Sequence, residues 1–468
     1  MIAPMIQRSL LAALLALPLP LVAQVPDTPP VRLDPKVERL RDAALKDDLA
    51  FDITEGLTTE IGPRLAGTEA EARARTWAVA KLKSLGFRNV RIEPYQMPVW
   101  VRGEERAEIV APFPQKLALT ALGNSGATPA GGLEGEIVYF PTLADLQAVA
   151  DGSLSGKIAF VSHAMKPSQD GSSYGQFGQA RRVGPAIAAR KGASAIVIRS
   201  IGTDYHRNPH AGGTAFPAGT AAIPAAALSL PDADQLERVL KRGKPVRLKL
   251  LLTPRQVGMQ QSGNVIAEVP GSDPSAGIVL IGGHLDSWDL GTGAIDDASG
   301  VAITTAAAKR IMDAGRPRRT IRVVWFGAEE VGVFGGRAYF DAHKGDNHVL
   351  AAESDFGADR IWRFETKLPD SAKAIGDRLG RALAPLGIGR GSAVAGDGAD
   401  VGPVIAAGAA AVDLNQSGTR YFDLHHTPDD TLDKVDPEQL RQNVAAWTAM
   451  LAIVADAPET IGPVPPKP

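Results

Sequence analysis

Residues 278–287 read Ile-Val-Leu-Ile-Gly-Gly-His-Leu-Asp-Ser. Four consecutive apolar residues closed by two glycines are the pattern of a strand buried on both faces. What leaves that strand is polar: His284 and, two residues on, Asp286. The same grammar repeats downstream. Residues 320–326 form a second apolar run that exits into Gly-Ala-Glu329-Glu330, and residues 349–352 form a third that exits into Glu353-Ser-Asp355. Residues 298–314, 372–386 and 437–455 carry helical patterns, and residues 410–414 a further strand. Strand alternating with helix predicts an α/β fold built on a mostly parallel sheet with helices on both faces. In such sheets ligand chemistry gathers beyond the carboxyl ends of the strands, which is where these acids and imidazoles fall.

Working outward, residues 69–85 predict a helix stopped by Gly86, and a strand begins at Val90. Between residues 112 and 254 the character changes to Gly- and Ala-rich sequence. Short apolar runs at 136–140, 157–161 and 195–198 surround one helix at 185–191. This predicts a compact β/α module inserted into a larger domain, whose two parts are 36–111 and 255–460. At the N-terminus, Arg8, the apolar residues 9–22 and Ala23 predict a signal peptide over 1–23. The apolar run falls short of the roughly 20 residues that span a bilayer. The mature chain is therefore expected to be periplasmic or secreted, with no stable membrane insertion.

The chain has 468 residues, 44% hydrophobic and 22% charged, which asks for about two globular domains. A formal net charge of −2, with no segment dominated by Lys and Arg, leaves no electrostatic footprint for nucleic acid. There is no cysteine, which excludes disulfides, zinc–thiolate sites and a Cys nucleophile. Any metal must be held by His and carboxylate.

The polar strand exits supply enough donors for two ions. A two-metal site with ions roughly 3.5–4 Å apart needs a bridging carboxylate and further ligands on each side. His284 with Asp355 suits one ion, Glu330 with His426 suits the other, and Asp296 can bridge. Asp286 is placed to accept the second ring N–H of His284. Glu329, next to a ligand, is placed to act as general base. Neighbours in an extended stretch point opposite ways, so His426 facing a metal would turn His425 toward the cleft edge. Each feature has a plainer reading. Asp296 alone could be only a helix N-cap, and a single acidic pair is usually a solvated face. Glu329-Glu330, directly after Val-Val-Trp-Phe-Gly-Ala, is nonetheless a costly place for charge unless it is paired or metal-bound. Recurrence at three strand ends outweighs the plain readings.

Taken in order, residues 283–288 (Gly-His-Leu-Asp-Ser-Trp), 293–300 (Gly-Ala-Ile-Asp-Asp-Ala-Ser-Gly), 328–330 (Ala-Glu-Glu) and 426–431 (His-Thr-Pro-Asp-Asp-Thr) resemble the motif set of the di-zinc aminopeptidase and glutamate carboxypeptidase family of metallopeptidases. Residues 62–67 (Gly-Pro-Arg-Leu-Ala-Gly), Glu353-Ser-Asp355 and the doubled His425-His426 extend the likeness over nearly the whole chain after the leader. The resemblance implies two zinc ions per chain on the same five ligands, a homodimer, and hydrolysis of short peptides with a free terminus. It also implies that 112–254 is a protease-associated domain.

One position departs from the pattern. Many relatives have Tyr before the zinc-binding His, where this chain has His425, so His425 or Tyr421 would donate to the oxyanion. Asp400 lies where relatives carry a loop near the site; it would orient a substrate amine or simply cap a helix. Tyr205, His206 and His210 could reach over the cleft or be loop surface. Two other readings stay open: a single-zinc, glutaminyl cyclase-like enzyme, and a non-catalytic, receptor-like protein on the same scaffold. Metal stoichiometry and chelator-sensitive hydrolysis discriminate among them.

Overall fold

In the computed structural model, which describes residues 33–464, two eight-stranded sheets organise the chain. The signal peptide expected at 1–23 lies outside the described residues. The first sheet runs Arg88–Val101, Arg255–Val269, Thr320–Phe326, Ile278–His284, His348–Glu353, Ala410–Gln416, Ile361–Lys367, Gly389–Arg390. Its four middle strands are mutually parallel.

Alternation along those strands explains the layering. Val279, Ile281, Ile321 and Val323 pack on one face, against helices Ser299–Asp313 and Pro437–Val454. Leu280, Val324 and Phe326 pack on the other, with Tyr339 of helix Phe334–His343 and with Val404 and Ile405 of helix Gly402–Ala406. Both faces are apolar and both are covered, as parallel strands require. Helix starts are locally encoded: Asp436 accepts from the amides of Glu438 and Gln439, and Thr68 accepts from that of Glu71.

The expected parallel pairing holds for four of the seven neighbouring strand pairs, but the sheet is mixed toward its edges. Arg88–Val101 and Arg255–Val269 pair antiparallel at one edge, and Ile361–Lys367 pairs antiparallel with Ala410–Gln416 near the other. The physical reason is visible in the Arg255–Val269 strand. Its first seven residues, 255–261, are exposed, and only the remainder is buried. That half sets only Val257 and Met259 among Arg, Gln and Gly, so it shows no continuous apolar run.

The second sheet is built from residues 105–252, in the order Gln115–Leu117, Glu105–Ala111, Arg247–Leu252, Leu133–Phe140, Lys157–Val161, Ala195–Arg199, Ala225–Leu228, Leu119–Ala121. It interrupts the first sheet between Val101 and Arg255. Glu105–Ala111, expected in the first part of the larger domain, belongs here instead, because it pairs with Arg247–Leu252.

Candidate metal centre

Parallel strands deliver their exits to one place, and the structure brings His284, Asp296, Glu330, Asp355, His425 and His426 together there. Nε2 of His284 lies 3.1 Å from Oδ1 of Asp296 and 3.4 Å from Oδ1 of Asp355. Nε2 of His426 lies 3.3 Å from Oδ2 of Asp296 and 2.9 Å from Oε2 of Glu330. The two oxygens of one carboxylate thus face two separate donor groups. Oδ2 of Asp296 and Oε1 of Glu330 are buried and have no hydrogen-bond partner. Buried carboxylate oxygens are normally paired. A donor set of imidazoles and carboxylates, with such oxygens pointing inward, fits divalent cations and suits zinc.

Electrostatics argue the same way. Burial pushes the Glu329 and Glu330 carboxyls well above the usual range, with Asp355 adding to the first and Asp296 to the second. Burial also raises Asp355. Against the same penalty, His284 and His426 hold the Asp296 carboxyl well below its usual range. So many acids in one dry place repel one another, and a bound cation relieves that repulsion.

Local chain geometry explains how these groups meet. Ala328 sits at φ 59, in the left-handed region, and so turns the end of Thr320–Phe326. Positive φ in a non-glycine residue is uncommon and clusters at functional sites. Asp296 is followed by Asp297, and Asp297 does the structural work that could have fallen to Asp296. Its Oδ1 accepts from the Gly300 amide at the start of helix Ser299–Asp313, and its Oδ2 accepts from the His284 amide. A Cβ at residue 283 would sit 2.3 Å from that Oδ2, so only glycine fits there.

Two expectations are corrected. Asp286 was expected to take the second ring nitrogen of His284 on its carboxylate. That nitrogen, Nδ1, instead lies 3.0 Å from the Asp286 main-chain oxygen and 3.6 Å from its Oδ1. Oδ1 accepts from the Glu329 amide at 3.1 Å, so the Asp286 carboxylate fixes the backbone of Glu329. The second correction concerns the paired histidines. They do not point apart. His426 has φ 63, and the backbone turn stacks the two rings with centroids 3.4 Å apart. His425 Nε2 then also approaches Oδ2 of Asp296, at 3.5 Å. Burial pushes the His425 ring well below its ordinary pKa, and pushes His426 down to about 4.

Asp400 is buried outside this cluster. Its Oδ1 accepts from the Gly336 amide in the first turn of helix Phe334–His343, and its own amide donates to Glu353. Tyr205 is 81% exposed. His210 is buried, with Nε2 2.7 Å from Oδ1 of Asp204 and Nδ1 2.8 Å from the His425 main-chain oxygen.

Several contributors were not singled out from the sequence. Ala211 accepts from His426 Nδ1 at 3.2 Å, and its amide donates to the His426 carbonyl. Arg64 is fully buried and donates to the carbonyls of Leu285, Thr292 and Gly293. Asp430 accepts from the amides of Ala294 and Ile295, both at 2.7 Å. Together they hold the loop that carries Asp296. The only available signals were the short motifs containing Arg64 and Asp430. We expect Arg64→Ala to lower unfolding stability by about 3 kcal/mol or more, since it strands three buried carbonyls at roughly 1–3 kcal/mol each. Urea titration measures this, and a loss under about 1 kcal/mol would mean the carbonyls find other partners.

Asp296, Glu330, Asp355, His425 and His426 line a cleft of about 1140 Å³, together with Glu329, Tyr421, Tyr174 and Arg181.

Comparison with known proteins follows the same line. A model described as peptidase family M28 matches residues 264–451. Carboxypeptidase Q of Bos taurus is 34% identical, over 86% of this chain and 85% of its own. A crystal structure of a peptidase M28 precursor from Shewanella amazonensis superposes with a TM-score of 0.90 at 49% identity, covering 92% of this chain and 98% of that one. BSAP, a zinc aminopeptidase from Bacillus subtilis, shares the fold, with a TM-score of 0.61 at 20% identity over 86% of this chain and 94% of its own.

Proposed function

The chain belongs to peptidase family M28 and is a metallo-exopeptidase, and from that premise we propose that it hydrolyses short peptides with two zinc ions. The observation that carries the two-ion reading is the division of Asp296 between two donor groups. His284 and Asp355 would hold one ion, Glu330 and His426 the other, with Asp296 shared. When bound, the ions lower the pKa of a water and polarise the peptide carbonyl.

The chain's own groups do the rest. Glu329, its backbone fixed by Asp286, takes the proton of the attacking water and passes it to the leaving amine. Burial disfavours the charged form of the His425 ring and its Nδ1 has no partner, so the ring can serve the oxyanion as a donor; Tyr421, in the same cleft, is the other candidate. Asp400 caps a helix in this reading and does not touch substrate. Residues 105–252 act as the protease-associated domain. Export after removal of residues 1–23 and a homodimer complete the proposal. No helix among the described residues is long and apolar enough to cross a membrane.

The test is zinc analysis of the purified protein alongside dipeptide hydrolysis, before and after a chelator. Two zincs per chain with activity restored by zinc supports the proposal. One zinc with glutamine cyclisation would favour the single-zinc reading, and loss of nothing on chelation the receptor-like one. The paired histidines give a sharper test. His426→Ala should lose zinc, because its Nε2 faces Glu330 as well as Asp296, whereas His425→Ala should keep both ions and turn over about 10²–10³-fold more slowly. Zinc loss in His425→Ala alone would exchange the two roles.

A further inference from the structure

Residues 200–211 of the inserted module run beside the turn that carries the paired histidines. The Thr203 amide donates to the Phe422 carbonyl, its hydroxyl donates to Asp423, and the Ala211 amide donates to the His426 carbonyl. Between these contacts, Nδ1 of His210 lies 2.8 Å from the His425 carbonyl oxygen. The turn needs such a template, because His426 sits at φ 63, a conformation that a non-glycine residue keeps only where its surroundings impose it. His210 is itself tightly seated. It is 1% exposed, and Asp204 is 4% exposed. Its Nε2 lies 2.7 Å from Oδ1 of Asp204, whose Oδ2 accepts from the His206 amide at 2.9 Å. The His210 amide donates to the Ser200 hydroxyl, and a Cβ at residue 202 would fall 2.2 Å from the ring.

Both ring nitrogens of His210 thus face acceptors, one a carbonyl and the other a carboxylate. A neutral imidazole has a single N–H. The His210–Asp204 pair therefore holds one proton more than a neutral ring beside an ionised carboxylate, and it is net neutral, the form in which buried charge is tolerated. With Nε2 taken by Asp204, Nδ1 is kept as a donor toward His425. Two buried titratable groups are committed to one main-chain oxygen, on the residue next to a metal ligand. His426 has a separate support in Ala211. We propose that His210, oriented by Asp204, is a positioning residue for catalysis: it fixes the His425 backbone and so sets the His425 ring where it donates to the oxyanion. This rests on the reading of His425 given above, and adds that the inserted module supplies the group that places it.

The experiment measures kcat, KM and zinc content for His210→Leu, His210→Asn and Asp204→Ala on the dipeptide Ala-Leu, each in the wild-type and in the His425→Ala background. In the wild-type background His210→Leu should keep its zinc and lower kcat by about 10–100-fold, the scale of a misplaced catalytic group, with KM little changed. His210→Asn, whose amide nitrogen stands where Nδ1 stood, should recover part of that kcat. Asp204→Ala frees the ring to take its other tautomer and should also lower kcat; it decides the question if His210→Leu does not fold. In the His425→Ala background none of the three should slow turnover further, because the group they act through is gone. Equal slowing in both backgrounds overturns the inference by making His210 structural. Zinc loss in His210→Leu overturns it by tying the residue to the ligand His426, and unchanged kcat in both His210→Leu and Asp204→Ala overturns it outright. A His425→Ala enzyme as fast as wild type removes the oxyanion reading itself, and this single variant shows it before any change at His210 is made.

Discussion

Glu329→Gln stops turnover, by about 10²–10⁴-fold, while the purified protein keeps its zinc. The amide matches the carboxylate in shape and leaves the Ala328 turn and the Glu329 amide bond to Asp286 undisturbed. What it removes is the ability to accept a proton from water. No neighbouring acid replaces it in this reading. Asp296, Glu330 and Asp355 are occupied as ligands, and Asp286 is committed to the backbone. The measurement is kcat on a dipeptide together with zinc content. A variant that keeps its zinc and more than half the wild-type rate would remove Glu329 from the role. A variant that loses zinc would make Glu329 a ligand instead.

Asp296→Ala is expected to empty both metal positions, and Glu330→Ala mainly one. The contrast follows from the two oxygens of Asp296, one facing His284 and Asp355, the other facing His426 and Glu330. Removing the shared carboxylate takes a ligand from each ion and leaves the remaining donors with uncompensated charge. Removing Glu330 leaves the His284 side complete. Zinc per chain, measured on the two variants under identical buffer, compares them directly. Equal loss of a single ion in both would mean that Asp296 serves one side only. Because metal binding is linked to folding, Asp296→Ala should also melt earlier than wild type when both are saturated with zinc.

The parallel heart of the first sheet was legible because its strands are dominated by apolar residues, broken only by Arg322 in one and Asp413 in another before their polar ends. The exits were legible because burying Glu329 and Glu330 demands a partner. What escaped was whatever the apolar pattern does not mark. The exposed half of Arg255–Val269 has glutamines where a core strand would show valine. The antiparallel strand Ile361–Lys367 carries Arg363, Glu365 and Lys367 and has no continuous apolar run. At the site, the opposite-facing rule for His425 and His426 failed at a single dihedral, the left-handed His426. Asp286 was expected in the right place but with the wrong atom, since a carbonyl and a carboxylate of one residue cannot be told apart by spacing. Arg181 and Ala211 were invisible because their contacts with His426 span 245 and 215 positions of chain.

Those long spans govern the order in which the molecule becomes an enzyme. The ring of His426 is steadied by Ala211, and the carbonyl of His425 is held by His210, both supplied by the intervening module. Closing contacts so distant in sequence is slow and comes late in folding. A chain that has formed only one of its sheets would have an unbraced His425-His426 turn and no lined cleft. Peptidase activity is therefore a property of the finished molecule. A half-made copy, still threading or still collapsing, has no means of cutting its neighbours.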